Sequence, residues 1–408
     1  MLREWTLRKI VSFTGILLSL RLSICVDNRK LLDGDYYMKT YQYLNILMFP
    51  TTACNLRCKY CFHAQSEYKN NQMDINFIER VFEKLFPNYE YLQLIWHGGE
   101  PLCVGLDFYK QVIELETKYS KKYGTLIDNG VMTNGTLVTD EWASFFKTNK
   151  FDVGISFDGI HNEELRGKTK EVERALELLK KYDCDVDIVT VITNNNLYDQ
   201  IENYEYIKTF GFEVKFNPVA KIGGGVENDA CDLDSKAYVE QCIKLFDYWL
   251  YDNNNPVILN PYYSYLRDIV EKTSSGCQRT SCLGRWIALH PNGDIYPCVR
   301  ETRKEYKFGN IFDVESMDNI WDSKAFLELL GTSIERRERC SNCGVYSYCH
   351  GGCPVNAITG NGKFACETFR NVFSYVLDSY DRLMHDIEKG LSCDSINPVV
   401  KSLIGDII

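Results

Sequence analysis

Leu44-Asn45-Ile46-Leu47-Met48-Phe49 runs through Pro50-Thr51-Thr52-Ala53 into Cys54-Asn55-Leu56-Arg57-Cys58-Lys59-Tyr60-Cys61. The apolar run reads as a buried strand, and the loop that leaves it presents three thiolates at C-x3-C-x2-C spacing. An iron–sulfur cube with four irons needs four protein ligands to be closed. Three ligands leave one iron open to a small molecule, and an open metal position marks a catalytic rather than a structural site.

Outward from that strand the chain alternates short apolar runs with helical patterns. Ile75, Ile78, Phe82, Leu85 and Phe86 recur at helical spacing, Tyr91 to Trp96 is a second strand, and a helix with Phe108, Val112 and Leu115 inward follows. Further strands are predicted at 126–132, 152–156, 185–192 and 213–217, with helices at 140–148, 171–181 and 198–210. Six βα units with short connections predict a parallel sheet with right-handed crossovers. The strand ends run into polar or glycine-containing loops: Thr51–Cys54, His97-Gly98-Gly99-Glu100-Pro101, Thr133-Asn134-Gly135-Thr136, Ser156-Phe157-Asp158-Gly159, Thr193-Asn194-Asn195 and Asn217-Pro218. In βα barrels the active site is built from those loops. The expected fold is α/β, a partial (β/α)6 TIM-like barrel, three-quarters complete and open on one side for a large substrate.

Composition narrows the class. With 46 basic against 56 acidic residues the formal charge is −10, the wrong sign for a general nucleic-acid binder. Seventeen cysteines in a chain of 408 residues, most at metal-ligand spacings, predict a metal or cluster protein of the reducing cytoplasm rather than a disulfide scaffold. Arg3, Arg8 and Lys9 precede an apolar run from Ile10 to Leu20 that resembles a signal peptide. Arg21 interrupts the run, it is too short to span a bilayer, and no small-residue cleavage site follows. An unstructured or spurious extension is expected there, with Met38 as a second possible start and no membrane partner. Gly223-Gly224-Gly225 lacks the frame of a phosphate loop and is expected to be a linker. Tyr238, Cys242, Leu245, Phe246 and Trp249 then mark one face of a bridging helix.

Eight more cysteines lie between 277 and 366: Cys277, Cys282, Cys298, Cys340, Cys343, Cys349, Cys353 and Cys366. Eight would close two cubes, two zinc sites would use the same pairs, and plain structural thiols are the third reading. Gly293-Asp294-Ile295-Tyr296-Pro297-Cys298 reads as a hairpin leading back to a ligand, and helical Leu327, Leu329 and Leu330 separate the two groups. Cys25, Cys103, Cys184, Cys231, Cys242 and Cys393 fit no motif and read as buried or incidental thiols. The six histidines include no pair at metal spacing.

The three-cysteine loop with Tyr60, together with Gly98-Gly99-Glu100-Pro101, resembles the radical S-adenosylmethionine enzymes. The order Cys282, Gly293, Cys298, then Cys340 to Cys353 and Cys366, is similar to the SPASM domain of that superfamily. The resemblance implies an N-terminal extension at 1–40, a radical core at 41–222, bridging helices at 223–276, a cysteine-rich SPASM domain at 277–370 and a C-terminal helix and tail at 371–408. It also implies three [4Fe–4S] clusters and S-adenosylmethionine. Cys54, Cys58 and Cys61 would hold the first cluster. Cys277, Cys282, Cys298 and Cys353 would hold one auxiliary cluster, and Cys340, Cys343, Cys349 and Cys366 the other. Gly98, Gly99 and Glu100 would line the methionine amine, Tyr60 would lie near the adenine, and Asn134, Ser156 and Arg166 would contact ribose and carboxylate. A flavodoxin or ferredoxin would supply one electron, and the radical formed would remove hydrogen from a peptide or protein substrate.

The layout resembles the anaerobic sulfatase-maturing enzymes most. Those oxidise a Cys or Ser to formylglycine with an Asp directly after the cysteine that is Cys298 here, and this chain has Val299. The expectation is therefore a peptide maturase that makes a carbon–carbon or thioether cross-link, with formylglycine formation or epimerisation as alternatives. The segment before the first strand is too short for a leader-binding winged-helix module. A non-enzymatic electron-transfer protein is the reading from another class, and the open-iron loop beside Gly98–Glu100 speaks against it.

Overall fold

The computed structural model describes residues 43–65, 71–223, 229–277, 279, 282–390 and 394–405. The predicted N-terminal extension, Met38, Cys25, Cys393 and Gly224-Gly225 lie outside the described residues.

All six predicted strands form and pair in parallel, in chain order: β1 Tyr43–Thr51, β2 Tyr91–Gly98, β3 Leu126–Thr133, β4 Asp152–Ser156, β5 Asp185–Ile192 and β6 Glu213–Pro218. The helices between them are α1 Ile75–Leu85, α2 Leu106–Tyr123, α3 Asp140–Thr148, the short α4 Asn162–Leu165 with α5 Thr169–Lys181, and α6 Gln200–Ile207. Side-chain caps fix where helices begin. The Asp74 carboxylate accepts from Phe77 N at 2.7 Å at the start of α1, and Thr139 does the same for Trp142 N at the start of α3. One stripe of each helix faces the sheet: Ile78, Val81, Phe82 and Leu85 of α1 are fully buried. Each such side chain contributes about 1.5–3 kcal/mol by leaving water. The expected helix at 198–210 is shorter than its pattern, with single 3-10 turns on either side of α6.

The sheet extends beyond the six strands. β7 Leu259–Asn260 joins parallel to β6, and β8 Trp286–Leu289 joins parallel to the free edge of β1. β9 Asp294–Tyr296 returns antiparallel as the expected hairpin, and β10 Gly309–Asn310 follows. Gly293 at the turn has φ of 87°, and a Cβ there would sit 2.7 Å from Asn310 Oδ1. The cysteine-rich segment is thus stitched to the core sheet, with Ile287 and Leu289 fully buried. The ten-strand order runs from β10 to β7 and is not paired end to end, so the sheet stays open.

Two helices, α7 Ser235–Leu250 and α8 Tyr262–Glu271, bridge to the second half, and the predicted face of α7 is buried throughout. α9 Lys324–Cys340, α10 Tyr346–Cys349, α11 Pro354–Ile358, α12 Gly362–Glu388 and α13 Pro398–Ile404 complete the chain. α12 is one helix of 27 residues, so the expected boundary at 370 falls inside it. Its aromatic face continues unbroken across that point: Phe369 meets Tyr265 of α8 at 5.5 Å and Tyr375 meets Phe246 of α7 at 6.1 Å. On α9, Leu329 is buried but Leu327 is exposed. Among the described residues no helix is long and apolar enough to cross a membrane.

Candidate active site

The loop after β1 and the loop after β2 are pressed together by backbone hydrogen bonds. Gly99 N donates to Thr51 O at 3.1 Å and Glu100 N to Ala53 O at 2.8 Å. Only glycine permits this approach. A Cβ on Gly99 would lie 2.2 Å from Ala53 O, and one on Gly98, whose φ is 105°, would lie 2.5 Å from Thr51 O. The contact holds Cys54, Cys58 and Cys61 on one wall of a cavity of about 550 Å³ at the C-terminal ends of the strands. Burial pushes the Cys54 thiol up to about 11, opposed by Leu56 N, which donates to its sulfur at 3.4 Å. Burial also raises Cys58, and the nearby Arg166 pulls it back. A metal must displace those protons.

Glu100 is fully buried and accepts three hydrogen bonds. Its Oε1 takes Leu102 N at 3.0 Å and Thr133 Oγ1 at 2.6 Å, and its Oε2 takes Asn134 N at 2.8 Å. Burial nevertheless raises its pKa above the usual range. Oε2 keeps acceptor capacity toward the cavity, which suits an ammonium. Asn134 is tied into its own loop: Nδ2 donates to Asn55 Oδ1 at 2.8 Å, and Oδ1 accepts from Thr136 N at 3.0 Å. Ser156 makes only a long bond to Met132 Sδ at 3.7 Å, so its hydroxyl is free to turn into the cavity it lines. Arg166 Nε donates to the buried Asp158 at 2.9 Å, and its two terminal nitrogens carry no hydrogen bond to the described residues. Tyr60 lies beneath that guanidinium, 5.3 Å from ring centre to carbon. All seven residues predicted to contact the small molecule line this one cavity.

The second cysteine set lies across the same space. Cys277, Cys340, Cys343, Cys349, Cys353 and Cys366 line the cavity, while Cys282 and Cys298 stand behind its wall. Mutual charge divides the eight into two groups. Apart from burial, Cys282 is raised by Cys277, Cys353 and Cys298, and Cys298 by Cys277 and Cys353. Cys349 is raised by burial, then by Cys366, Cys340 and Cys343. Among the described residues no group of three donors closes around a single metal ion.

Several residues escaped the sequence reading. Arg300 donates from its backbone to Cys298 Sγ at 3.2 Å and from its side chain to Cys353 Sγ at 3.8 Å. Its place two residues after Cys298 was the available signal. Lys215 on β6 is in register with Val189, which is in register with Ser156, so its ammonium enters the cavity at the level of Ser156. Burial lowers its pKa, and Cys277, Asp187 and Glu213 partly restore it. Val299, already marked in the sequence, lines the cavity and packs against Phe49, Ala288 and Tyr296. Histidines that sequence spacing kept apart meet around Phe49, with ring centres of His63, His97 and His290 at 5.4, 5.9 and 4.4 Å. Burial holds them neutral, with His63 lowered to about 3 and His97 and His290 to about 4. Of the unassigned thiols, Cys184, Cys231 and Cys242 are buried and Cys103 is exposed.

The donor set fits the implied groups: three thiols on one face, a carboxylate with spare acceptor capacity and a guanidinium with a free fork. Comparison with known proteins agrees. Residues 48–214 match the Radical SAM superfamily and residues 277–344 match an iron–sulfur cluster-binding domain, SPASM. The chain is 29% identical over 374 residues to a cysteine-type anaerobic sulfatase-maturating enzyme of Clostridium perfringens, covering 85% of this chain and 99% of that protein. It is 26% identical over 349 residues to a serine-type anaerobic sulfatase-maturating enzyme of Klebsiella aerogenes, covering 82% and 85%. A solved structure of native anSMEcpe with bound AdoMet superimposes with a TM-score of 0.72 at 28% identity, over 83% of this chain and 100% of that one. The chain is a radical SAM protein with a SPASM iron–sulfur domain, homologous to the anaerobic sulfatase-maturating enzymes.

Proposed function

We propose that the protein is a radical S-adenosylmethionine enzyme that oxidises a residue of a peptide or protein, joining two side chains by a carbon–carbon or thioether cross-link. Three [4Fe–4S] clusters are assigned: the first to Cys54, Cys58 and Cys61, one auxiliary cluster to Cys277, Cys282, Cys298 and Cys353, the other to Cys340, Cys343, Cys349 and Cys366. When bound, these groups and S-adenosylmethionine supply a 5′-deoxyadenosyl radical, fed by flavodoxin or ferredoxin, and a sink for the electron the substrate gives up.

The chain's own residues bind and orient. Glu100 Oε2 takes the methionine amine, the free fork of Arg166 takes its carboxylate, and Ser156 turns to the ribose. Arg300 offsets the negative charge of the Cys277–Cys353 group: burial works against its own charge, but Cys353, Cys298 and Cys277 more than restore it. Lys215 lines the same cavity and feels the charge of Cys277, which suits it to a substrate group there.

The observation that carries the product assignment is the cavity wall itself. Among its described residues Glu100 is the single carboxylate, committed to three internal hydrogen bonds, and Val299 is apolar. A carbon–carbon cross-link needs no carboxylate base at a substrate thiol or hydroxyl. Formylglycine formation is the second reading, supported by the near full-length match to the sulfatase-maturating relatives. Mass spectrometry of a peptide encoded beside this gene, after co-expression, separates them. Loss of two hydrogens without a hydrazine-reactive aldehyde supports the cross-link, a hydrazine-reactive aldehyde (minus two hydrogens from Ser, sulfur replaced by oxygen and two hydrogens lost from Cys) the second reading, and an unchanged mass with an inverted centre epimerisation.

A further inference from the structure

Asp158 lies two residues past the end of β4 with no exposed surface, and three separate segments converge on its carboxylate. From the cysteine loop, Tyr60 Oη donates to Oδ2 at 2.5 Å. From the turn after α4, Arg166 Nε donates to the same oxygen at 2.9 Å. From β5, Val191 N donates to Oδ1 at 2.9 Å. The backbone reinforces the junction: Lys59 N donates to Leu165 O at 2.9 Å, and Asp158 N donates to Asn162 Oδ1 at 3.2 Å. The guanidinium is only 10% exposed in its side chain and stacks over the Tyr60 ring.

A buried ion pair adds little net stability, because both charges lose their water. What this one does is directional. By occupying Nε, Asp158 leaves both terminal nitrogens of Arg166 facing the cavity as a planar fork, the geometry that matches a carboxylate. By holding the phenol, it fixes the Tyr60 ring under the Arg166 guanidinium.

We propose that Asp158 is a positioning residue for S-adenosylmethionine: it fixes the Arg166 fork and the Tyr60 ring beside the three-cysteine loop before the small molecule arrives. This rests on the assignment of that loop and of Arg166 made above. Asparagine cannot replace it. Oδ1 and Oδ2 both face donors, so an amide in either orientation turns its NH2 group onto an N–H or O–H.

The test uses the full chain with clusters reconstituted anaerobically, measuring iron content, the dissociation constant of labelled S-adenosylmethionine, and the EPR spectrum of the dithionite-reduced protein with and without it. Asp158→Asn is expected to keep wild-type iron and to bind about tenfold more weakly or worse. At about ten times the wild-type dissociation constant its spectrum should be shifted in only about half of the protein, against nearly all of the wild type. Arg166→Gln should show a similar loss, and the double variant should fall clearly short of the product of the two single losses, because Asp158 acts in large part through Arg166. Wild-type affinity in Asp158→Asn, or losses that multiply in the double variant, would overturn the inference. If Asp158→Asn does not retain iron, Asp158→Glu keeps the charge but displaces it by one methylene. Affinity between wild type and Arg166→Gln then supports the inference, and wild-type affinity overturns it. Failure of the wild type to bind with its clusters filled would overturn the parent assignment instead.

Discussion

Glu100 and Asn134 stand on the ends of neighbouring strands and are joined by one hydrogen bond, from Asn134 N to Glu100 Oε2 at 2.8 Å. With the bonds from Leu102 and Thr133 the carboxylate is a clamp between β2 and β3 as well as a cavity group. Glu100→Gln turns an amide NH2 onto these donors. A lost buried partner costs about 1–3 kcal/mol, so a fall in the apparent Tm is expected together with weaker S-adenosylmethionine binding. Unchanged Tm and unchanged affinity would show that the clamp does neither.

Gly99 is the position where the two loops meet. In Gly99→Ala the methyl group would lie against backbone oxygens at 2.2 and 2.6 Å, neither of which can swing aside. The cysteine loop must shift. Iron per chain is expected to fall by about four, the content of one cube, while the auxiliary clusters keep their EPR signals.

The two auxiliary groups are separable. Cys340→Ser with Cys366→Ser is expected to remove about four irons of about twelve, and Cys277→Ser with Cys353→Ser a different four, given four irons per cube. Each pair should leave S-adenosylmethionine cleavage by the first cluster measurable. Loss of every iron from either variant would contradict the division.

Glu116 should contribute a stability that falls as pH rises above the acid range, opposite in sign to the buried neutral histidines His63, His97 and His290. Burial pushes Glu116 up to about 8, against the pull of its Asn129 hydrogen bond, so the folded chain holds a proton that the unfolded chain releases. The contribution is complete below the ordinary glutamate value, declines as pH rises toward about 8, and is level beyond. Asp152, raised to about 8 by burial and by Asp128, Asp185 and Asp187, adds a second decline of the same sign. Relative to the wild type, Glu116→Gln should therefore show a more positive slope of apparent Tm against pH between pH 5 and 8. An identical slope would show that Glu116 is ionised in the fold.

The barrel was legible because its strands are short apolar runs with the special residues at their C-terminal ends. Leu44–Phe49 and Asp152–Ser156 announce themselves this way, and so do the glycines of the β2 loop. β8 was not legible: Trp286–Leu289 carries four residues of signal, and only the free edge of β1 tells it to pair there. Asp158 was visible as part of a strand-end motif, but its bonds to Tyr60 and Arg166 arise from three segments meeting in space. The gathering of His63, His97 and His290 on Phe49 has no trace in their spacing for the same reason. Val299 was legible as a departure, while the position of Lys215 needed the register of β5 and β6.

The central claim is that the three-cysteine loop opens an iron to S-adenosylmethionine. The direct measurement is 5′-deoxyadenosine after dithionite and S-adenosylmethionine are added to the anaerobically reconstituted chain. The account predicts 5′-deoxyadenosine and methionine in equal amounts, abolished in Cys58→Ala. No 5′-deoxyadenosine from protein with all its clusters filled would contradict it.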